Sequence, residues 1–265
     1  MKIILFIKSN ILKSLLCFTL LIVSFIILLK NVFSNYFIMQ PVYSKAISNN
    51  LLDTISELAK EDEKIAYLTF DDGPTTSITP KILTILKEEN VKATFFVIGK
   101  LVEAHPEIVK MAYEEGHYIA NHSYSHNNSI LYKSKDNFIN EIKKTDIAIG
   151  NAIDDDEYCS HVFRFPNGFM STLYKTQKEN YLPLLKEMDY FYIDWNCLNN
   201  DSMGKYSNYQ LLENMKQTSK GKNTLVILMH DTKDVSDSSF VLKDSIEYLK
   251  AQGYIFKNFY EFIDN

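Results

Sequence analysis

Residues 65–74 read Ile-Ala-Tyr-Leu-Thr-Phe-Asp-Asp-Gly-Pro, an apolar and β-branched run that ends in two adjacent carboxylates. The apolar part predicts a buried β-strand with Asp71 and Asp72 at its carboxyl end. His122 and His126 follow later in the chain at a spacing of four. One carboxylate and two imidazoles suit a divalent metal ion and leave a coordination position open for water. The second carboxylate is then free to act as a base.

Strand-like and helix-like segments alternate from residue 64 to the end of the chain. The predicted strands are 65–70, 94–99, 117–121, 161–166, 190–195, 224–230 and 254–259. The predicted helices between them are 79–89, 103–115, 136–150, 174–188, 208–219 and 237–251. Because parallel strands need crossover connections, this alternation predicts an α/β fold with a parallel sheet.

Polar residues stand at the carboxyl ends of several predicted strands. They are Asp71, Asp72, His122, His126, Arg164, Asp194 and His230. Residues from many strand ends converge on the top face of a closed barrel, whereas an open doubly wound sheet gathers its site at one switch point. We therefore favour a barrel over an open sheet.

Arg164 is the only arginine among 28 basic residues, and it lies inside an apolar strand. Its planar guanidinium can bind a carboxylate through two parallel hydrogen bonds, which lysine cannot reproduce. A buried arginine needs a carboxylate partner, so we predict that Arg164 pairs with Asp71. A structural ion pair elsewhere is the alternative.

Five motifs make the chain resemble the polysaccharide deacetylase family, also called carbohydrate esterase family 4, over about residues 64–260. The motifs are Thr69–Pro74, His122–His126, Arg164-Phe165-Pro166, Asp194-Trp195 and Leu228-Met229-His230. The family includes chitin and peptidoglycan deacetylases. The resemblance implies a deformed (β/α)7 barrel, in agreement with the strand count.

The resemblance also implies one divalent metal ion, held by Asp72, His122 and His126. We expect zinc, although cobalt and iron suit the same ligands. Asp71 would be the general base that activates water, and Arg164 would keep Asp71 ionised and oriented.

Further roles carry over from the same resemblance. His230 would be the general acid that protonates the leaving amine, and Asp194 would hydrogen-bond His230 and raise its pKa. Trp195 and Leu228 would wall the acetyl pocket. Asn167 stands where the family usually has an aromatic residue, so the backbone N–H that helps to hold the oxyanion remains while the aromatic side chain is lost.

The amino-terminal part of the chain predicts membrane anchoring. Residues 14–29 are nearly all apolar and are flanked by lysines, which fits a single membrane span with a cytoplasmic amino terminus. We expect an uncleaved signal anchor in 1–30, with a cleaved signal peptide as the alternative. Residues 31–63 would form a stalk with a short helix, and 64–265 the extracytoplasmic catalytic domain.

The charge and the cysteine content of the chain restrict which partners and which cysteine roles we expect. The whole chain has a formal net charge of −5, and its first thirty residues contain no acidic residue, so the exported part is more acidic still. This argues against nucleic acid as a partner. Cys159 and Cys197 do not have metal-ligand spacing, and whether they pair is open.

These features lead to one main hypothesis and two alternatives. The main hypothesis is a metal-dependent enzyme that removes N-acetyl groups from cell-surface glycan, with N-acetylglucosamine of peptidoglycan as substrate. The second is an O-acetyl esterase, or a deacetylase of exported poly-N-acetylglucosamine or chitooligosaccharide. The third is an inactive membrane-tethered scaffold that binds glycan.

Overall fold

The strand that ends in Asp71 and Asp72 lies at the centre of the sheet. The computed structural model describes residues 50–58, 63–232 and 238–263, and this strand, β1, spans Ile65–Gly73. Every residue of β1 except Asp72 is buried. A strand covered on both faces needs apolar residues at successive positions, which explains why the run does not alternate between apolar and polar residues.

Seven further strands pair in parallel around β1. They are Thr94–Val97 (β2), Tyr118–Asn121 (β3), Val162–Phe163 (β4), Phe191–Tyr192 (β5), Cys197–Leu198 (β6), Thr224–His230 (β7) and Ile255–Lys257 (β8). The order across the sheet is β5-β4-β3-β2-β1-β7-β6, and β8 pairs with the first residues of β1. The predicted parallel α/β architecture is confirmed.

The sheet is a half-barrel. β5 and β6 follow each other in the chain yet stand at opposite ends of the sheet, and no ladder joins them within the described residues. The structure therefore differs from the predicted deformed (β/α)7 barrel in two respects: no ladder closes the ring among the described strands, and β6 is an extra strand. β6 has only two residues and is flanked by asparagines, so its apolar pattern was too short to detect.

Helices connect the strands and cover the sheet. They are Leu51–Leu58 (α1), Thr79–Glu88 (α2), Gly99–Ala104 (α3), Pro106–Glu114 (α4), Asn128–Leu131 (α5), Lys135–Ile153 (α6), Lys175–Glu187 (α7), Asn208–Ser219 (α8) and Ser239–Ala251 (α9), with a 3-10 turn at Phe259–Glu261. Three of the described helices begin with side-chain caps. Asn127 accepts from the backbone of Ser129 before α5, Ser134 accepts from that of Asn137 before α6, and Ser207 forms a capping box with Gln210 before α8.

One predicted helix, 103–115, is two helices in the structure. α3 begins earlier, at Gly99, and ends before His105, and α4 begins at Pro106. The proline ring disfavours a helical conformation in the preceding residue, and His105 has φ −140° and ψ 53°. The proline therefore explains the break between α3 and α4. We predicted one continuous helix because the apolar residues keep a helical spacing on both sides of it.

The folded unit includes part of the stretch that the sequence assigned to the stalk. Leu51 and Ile55 of α1 are buried, and Asn50 forms a parallel bridge with Tyr192 at the edge of the sheet. Within the described ranges, no helix combines the length and apolar character needed to span a bilayer. The anchor predicted at 14–29 lies outside those ranges and stays a prediction.

Two apolar clusters support the two halves of the sheet. The larger one fills the space between β1, β2, β7 and the surrounding helices. The second is rich in aromatic residues and lies under β4 and β5, with Phe138, Phe163 and Phe165 at its centre. Cys159 and Cys197 are both free thiols and do not pair.

Candidate active site

The two aspartates line the same cleft because the strand is irregular between them. Adjacent residues of a regular strand point to opposite faces. The register between β1 and β2 shifts between Asp71 and Gly73, and Asp72 has a left-handed backbone with φ 75°. A bulge of this kind redirects side chains, so both carboxylates reach one cleft at the carboxyl end of β1.

Asp72, His122 and His126 form a compact cluster, and all three ligand atoms lie within 4.8 Å of one another. Asp72 Oδ1 is 3.1 Å from His126 Nε2 and 3.4 Å from His122 Nε2. This oxygen is buried and has no hydrogen-bond partner among the described residues. A buried carboxylate oxygen is costly without a partner, so this donor set fits a divalent metal ion.

The surroundings prepare these groups for a metal. The Nδ1 of His122 lies 2.8 Å from the carbonyl oxygen of Arg164. A carbonyl can only accept, so Nδ1 carries the proton and Nε2 presents its lone pair to the cluster. Burial alone would raise the pKa of the Asp72 carboxyl, but the positive charges that His122 and His126 carry when protonated hold it well below its usual range.

The loop that carries the two histidines is held by α6. Its backbone is left-handed at Ser123 and at His126. Glu141 of α6 accepts hydrogen bonds from the backbone N–H and the hydroxyl of Ser125, both at 2.8 Å. Asn121 accepts from the N–H of Ser123 at 3.0 Å. These bonds fix a conformation that non-glycine residues adopt only at a cost.

The predicted pairing of Arg164 with Asp71 is present in the structure. Arg164 Nη1 lies 2.8 Å from Asp71 Oδ1, and both side chains are buried. The guanidinium does not form a two-bond fork with this carboxylate. Its other N–H groups donate to the hydroxyl of Thr69 and to the carbonyls of Ile193 and Asp194. The arginine therefore fixes Asp71 as one arm of a wider network.

The predicted hydrogen bond between Asp194 and His230 is wrong, because Asp201 takes that position. The carboxylate of Asp201 accepts from Nδ1 of His230 at 2.7 Å and from its backbone N–H at 2.8 Å. Burial alone would lower the pKa of this imidazole. The hydrogen bond and charge of Asp201, with the charges of Asp71 and Asp72, raise it to about 9.

Asp194 instead binds the loop after β4. Its two carboxylate oxygens accept from the backbone N–H groups of Phe169 and Met170 at 2.8 Å and 2.9 Å. In the same loop, Asn167 has φ 66°, a conformation that asparagine tolerates better than aromatic residues do. The backbone N–H of Asn167 has no hydrogen-bond partner within the described part of the chain.

The cleft has a volume of about 360 Å³. The predicted residues that line it are Asp71, Asp72, His122, His126, Asn167, Trp195, Leu228 and His230. Arg164 and Asp194 lie behind this lining. Leu198, Ser202 and Met203 also line the cleft and were not predicted.

Asp201 and the other missed residues share one cause. They lie in β6 or directly after it, and this strand was not predicted, so the strand end was placed at Asp194 instead. The available signal was the pair Cys197-Leu198 between asparagines, followed by an acidic residue. Once β6 is recognised as a strand, Asp201 takes the position that carboxylates occupy elsewhere at this end of the sheet.

Comparisons with known proteins point to one family. A family model described as polysaccharide deacetylase matches residues 59–189. The chain is 35% identical over 198 residues to the peptidoglycan-N-acetylglucosamine deacetylase PgdA of Listeria monocytogenes, an alignment that covers 75% of this chain. It spans only 38% of the length of that relative.

Two further proteins resemble the chain over most of their own length. It is 32% identical over 203 residues to the peptidoglycan-N-acetylmuramic acid deacetylase PdaA of Bacillus subtilis, covering 76% of this chain and 72% of that protein. The solved catalytic domain of a peptidoglycan N-acetylglucosamine deacetylase from Eubacterium rectale superimposes with a TM-score of 0.68 at 29% identity. That match covers 76% of this chain and 90% of the domain.

Proposed function

Because this chain belongs to the polysaccharide deacetylase family, we propose that it is a metal-dependent hydrolase that removes N-acetyl groups from cell-surface glycan, with N-acetylglucosamine of peptidoglycan as substrate. The observation that carries the proposal is a base and an acid at the ends of two adjacent strands, beside one cluster that could hold a metal ion. The base is Asp71, held by Arg164, and the acid is His230, held by Asp201. The substrate class rests on the peptidoglycan amino sugars named for the relatives.

The residues Asp72, His122 and His126 would hold the metal ion, and we propose zinc. A divalent ion bound there would act as a Lewis acid and lower the pKa of water. Asp71 is placed to accept a proton from that water, since it lies beside the cluster and its carboxylate is fixed by Arg164.

The departing amine and the developing oxyanion have their own candidate groups. Asp201 raises the pKa of His230, and this imidazole lines the cleft, so it can donate a proton to the leaving nitrogen. The N–H of Asn167 can donate to the oxyanion. Trp195 and Leu228 supply apolar surface for the acetyl methyl group.

The pairing of His230 with Asp201 favours amide over ester cleavage. An amine leaves poorly unless it is protonated, whereas an alkoxide depends less on an acid. We expect His230→Ala to reduce acetate release from N-acetylated glycan by on the order of a thousandfold and to reduce release from O-acetylated xylan far less. Equal losses on both substrates would argue for an O-acetyl esterase whose histidine serves another purpose.

The decisive experiment measures acetate release by the full-length chain in detergent. Peptidoglycan, chitooligosaccharide and acetylated xylan are compared, before and after removal of divalent metals by chelation and dialysis. We expect release from peptidoglycan, its loss after chelation, and its recovery with zinc. Undiminished release without metal would refute metal dependence. Glycan binding without release under any metal would favour the inactive scaffold.

The location outside the cytoplasm is a proposal that rests on the apolar segment 14–29. We propose that this segment is an uncleaved signal anchor, with the catalytic domain on the extracytoplasmic side. Protease added to intact cells should digest the catalytic domain and leave a small membrane-bound fragment. A soluble, shortened chain in the medium would show cleavage instead.

A further inference from the structure

A buried lysine binds the loop that follows β4. Lys178 of α7 is fully buried, yet no carboxylate lies within ion-pair distance of it in the described structure. Its ammonium donates instead to backbone carbonyls, those of Gly168 at 2.6 Å and Ser171 at 2.9 Å, with Phe169 at 3.5 Å. Burial lowers the pKa of this ammonium, and the charge of Asp194 opposes that shift.

Asp194 binds the same loop with the opposite polarity. Its carboxylate accepts from the N–H groups of Phe169 and Met170, whereas the ammonium of Lys178 donates to carbonyl oxygens. The peptide units at 168–171 thus lie between a cation at their oxygens and an anion at their nitrogens. Such charge-assisted hydrogen bonds are about twice as strong as neutral ones.

The position of this loop determines which backbone groups face the cleft. Asn167 and Gly168 line the cleft, and both have left-handed backbones, with φ 66° and 78°. A Cβ at Gly168 would lie 2.8 Å from the ring of Trp195 and 3.4 Å from Asp194 Oδ1, so the loop has little room to shift. The free N–H of Asn167 stands directly before the clamped segment.

Burying a lysine to bind a loop is costly, and an apolar residue would fill the same space at lower cost. The cost is understandable if the loop must hold one backbone N–H to within a fraction of an ångström. Oxyanion stabilisation has that requirement, because the donor must meet the charge that develops in the transition state.

We propose that Lys178 and Asp194 are positioning residues that clamp the 167–171 loop and thereby aim the N–H of Asn167 at the oxyanion of the tetrahedral intermediate. The inference rests on the proposed function. It gives Asp194 a role that does not involve His230, and it makes Lys178 part of the support of the site although it does not line the cleft.

The test compares Lys178→Met and Asp194→Asn with Lys186→Met, an exposed lysine on the same helix. An oxyanion donor acts in the transition state, so its displacement lowers kcat and leaves KM almost unchanged. We expect kcat to fall roughly tenfold to a hundredfold in the two clamp variants, less than complete loss of a donor causes. Lys186→Met should match the wild type. Zinc content should stay at the wild-type level in all three.

A second measurement distinguishes a displaced oxyanion donor from a general distortion of the cleft. The probe is an N-acetylglucosamine oligomer whose acetamide is replaced by a tetrahedral methylphosphonamidate. We expect the clamp variants to bind this probe more weakly by the factor lost in kcat/KM, while they bind the unmodified oligomer as the wild type does. Lys178→Arg keeps a cation at the carbonyls and should recover part of the loss. Lys178→Arg and Asp194→Asn carry the test if Lys178→Met does not fold.

The outcomes distinguish this inference from the proposed function. A wild-type chain that releases no acetate from any of the glycans overturns the proposed function and the inference with it. An active wild type whose clamp variants keep kcat and probe affinity overturns the inference alone. Equal weakening of the probe and of the unmodified oligomer would also overturn it, because that pattern indicates general distortion of the cleft.

Discussion

Arg164 bonds to two separate parts of the chain at once. It holds Thr69 and Asp71 of β1 on one side and the carbonyls of Ile193 and Asp194 on the other. Its guanidinium also lies over the ring of Phe96, at 4.0 Å from the centroid. Only a planar group with several fixed N–H donors can meet all these partners, which explains why the one arginine of the chain is here.

We expect Arg164→Lys to lower turnover by on the order of a hundredfold, because a slightly misplaced base reduces the rate steeply. The proposed metal ligands Asp72, His122 and His126 form no hydrogen bond to the guanidinium, so metal content should remain near that of the wild type. Steady-state kinetics and metal analysis of the purified variant check this. Wild-type turnover would contradict the role given to the pairing, and loss of metal would mean that Arg164 supports the ligands instead.

Asp201→Asn should change the pH dependence of the reaction. Asp201 raises the pKa of His230, and burial opposes this, so removing the carboxylate lowers that pKa from its value of about 9. The acid works only when protonated, so the alkaline limb of the rate should move to lower pH. At pH 9 the variant should lose roughly tenfold more activity than at pH 6. Asp244→Asn, an exposed aspartate of α9, serves as the control, and an unmoved limb would refute the pairing.

The residues of the site could be predicted well where they belong to long strands. Asp71, Asp72 and His230 end β1 and β7, whose apolar runs are unmistakable, and the histidine spacing is a local pattern. The partner of His230 could not be predicted in the same way. Asp201 reaches it across a turn after a two-residue strand, and such contacts depend on tertiary packing rather than on spacing.

At the scale of elements, α6 supports the loop that carries His122 and His126 of the candidate metal site. The helix contacts the 122–126 loop through Glu141, and it also accepts the side-chain amide of Asn121 through Ile142 and Asp146. Asn121 stands immediately before His122, so the same helix reaches both ends of the loop. Neither the contacts of Asn121 nor those of Ser125 with α6 can be read from the sequence, because the partners lie some 16 to 25 residues apart in the chain.

Glu141→Gln should therefore weaken metal binding. The glutamine side chain keeps the length of glutamate but loses the negative charge of the carboxylate, which accepts two hydrogen bonds from Ser125. Residues that support metal ligands in this way contribute about tenfold to a hundredfold in metal affinity. Zinc affinity measured by competition with a chromophoric chelator checks this without reference to catalysis. Lys143→Ala on the exposed face of α6 is the control. Unchanged affinity in Glu141→Gln would show that the loop holds its own conformation.

At the scale of the whole molecule, the two ends of the sheet are stabilised in different ways. β1 and β7 form a long ladder, whereas β4 and β5 have two residues each and contribute few hydrogen bonds. The β5 end depends on the aromatic cluster beneath it. The barrel that we favoured from the polar residues at several strand ends does not close here, since short strands can be held by side-chain packing without pairing to a neighbour.

Phe138→Ala should consequently destabilise the protein strongly. Phe138 is fully buried and packs against Phe163, Phe165 and Tyr181, and replacing such a ring by alanine costs about 3–5 kcal/mol. Denaturant unfolding followed by circular dichroism measures the loss. Phe240→Ala removes a ring that is 64% exposed and should change stability by less than about 0.5 kcal/mol. Equal losses in both variants would contradict the view that this cluster holds the β5 end.

The bridge between Asn50 and Tyr192 limits how far from the membrane the proposed anchor would allow the cleft to reach. Residue 50 is already part of the folded unit, so under the proposed anchoring only residues 31–49 lie between membrane and enzyme. Whatever their conformation, nineteen residues span at most about 65 Å. The cleft would then reach only glycan that lies within a limited distance of the bilayer. Acetyl groups farther out would escape the enzyme, and lengthening that segment would extend this distance.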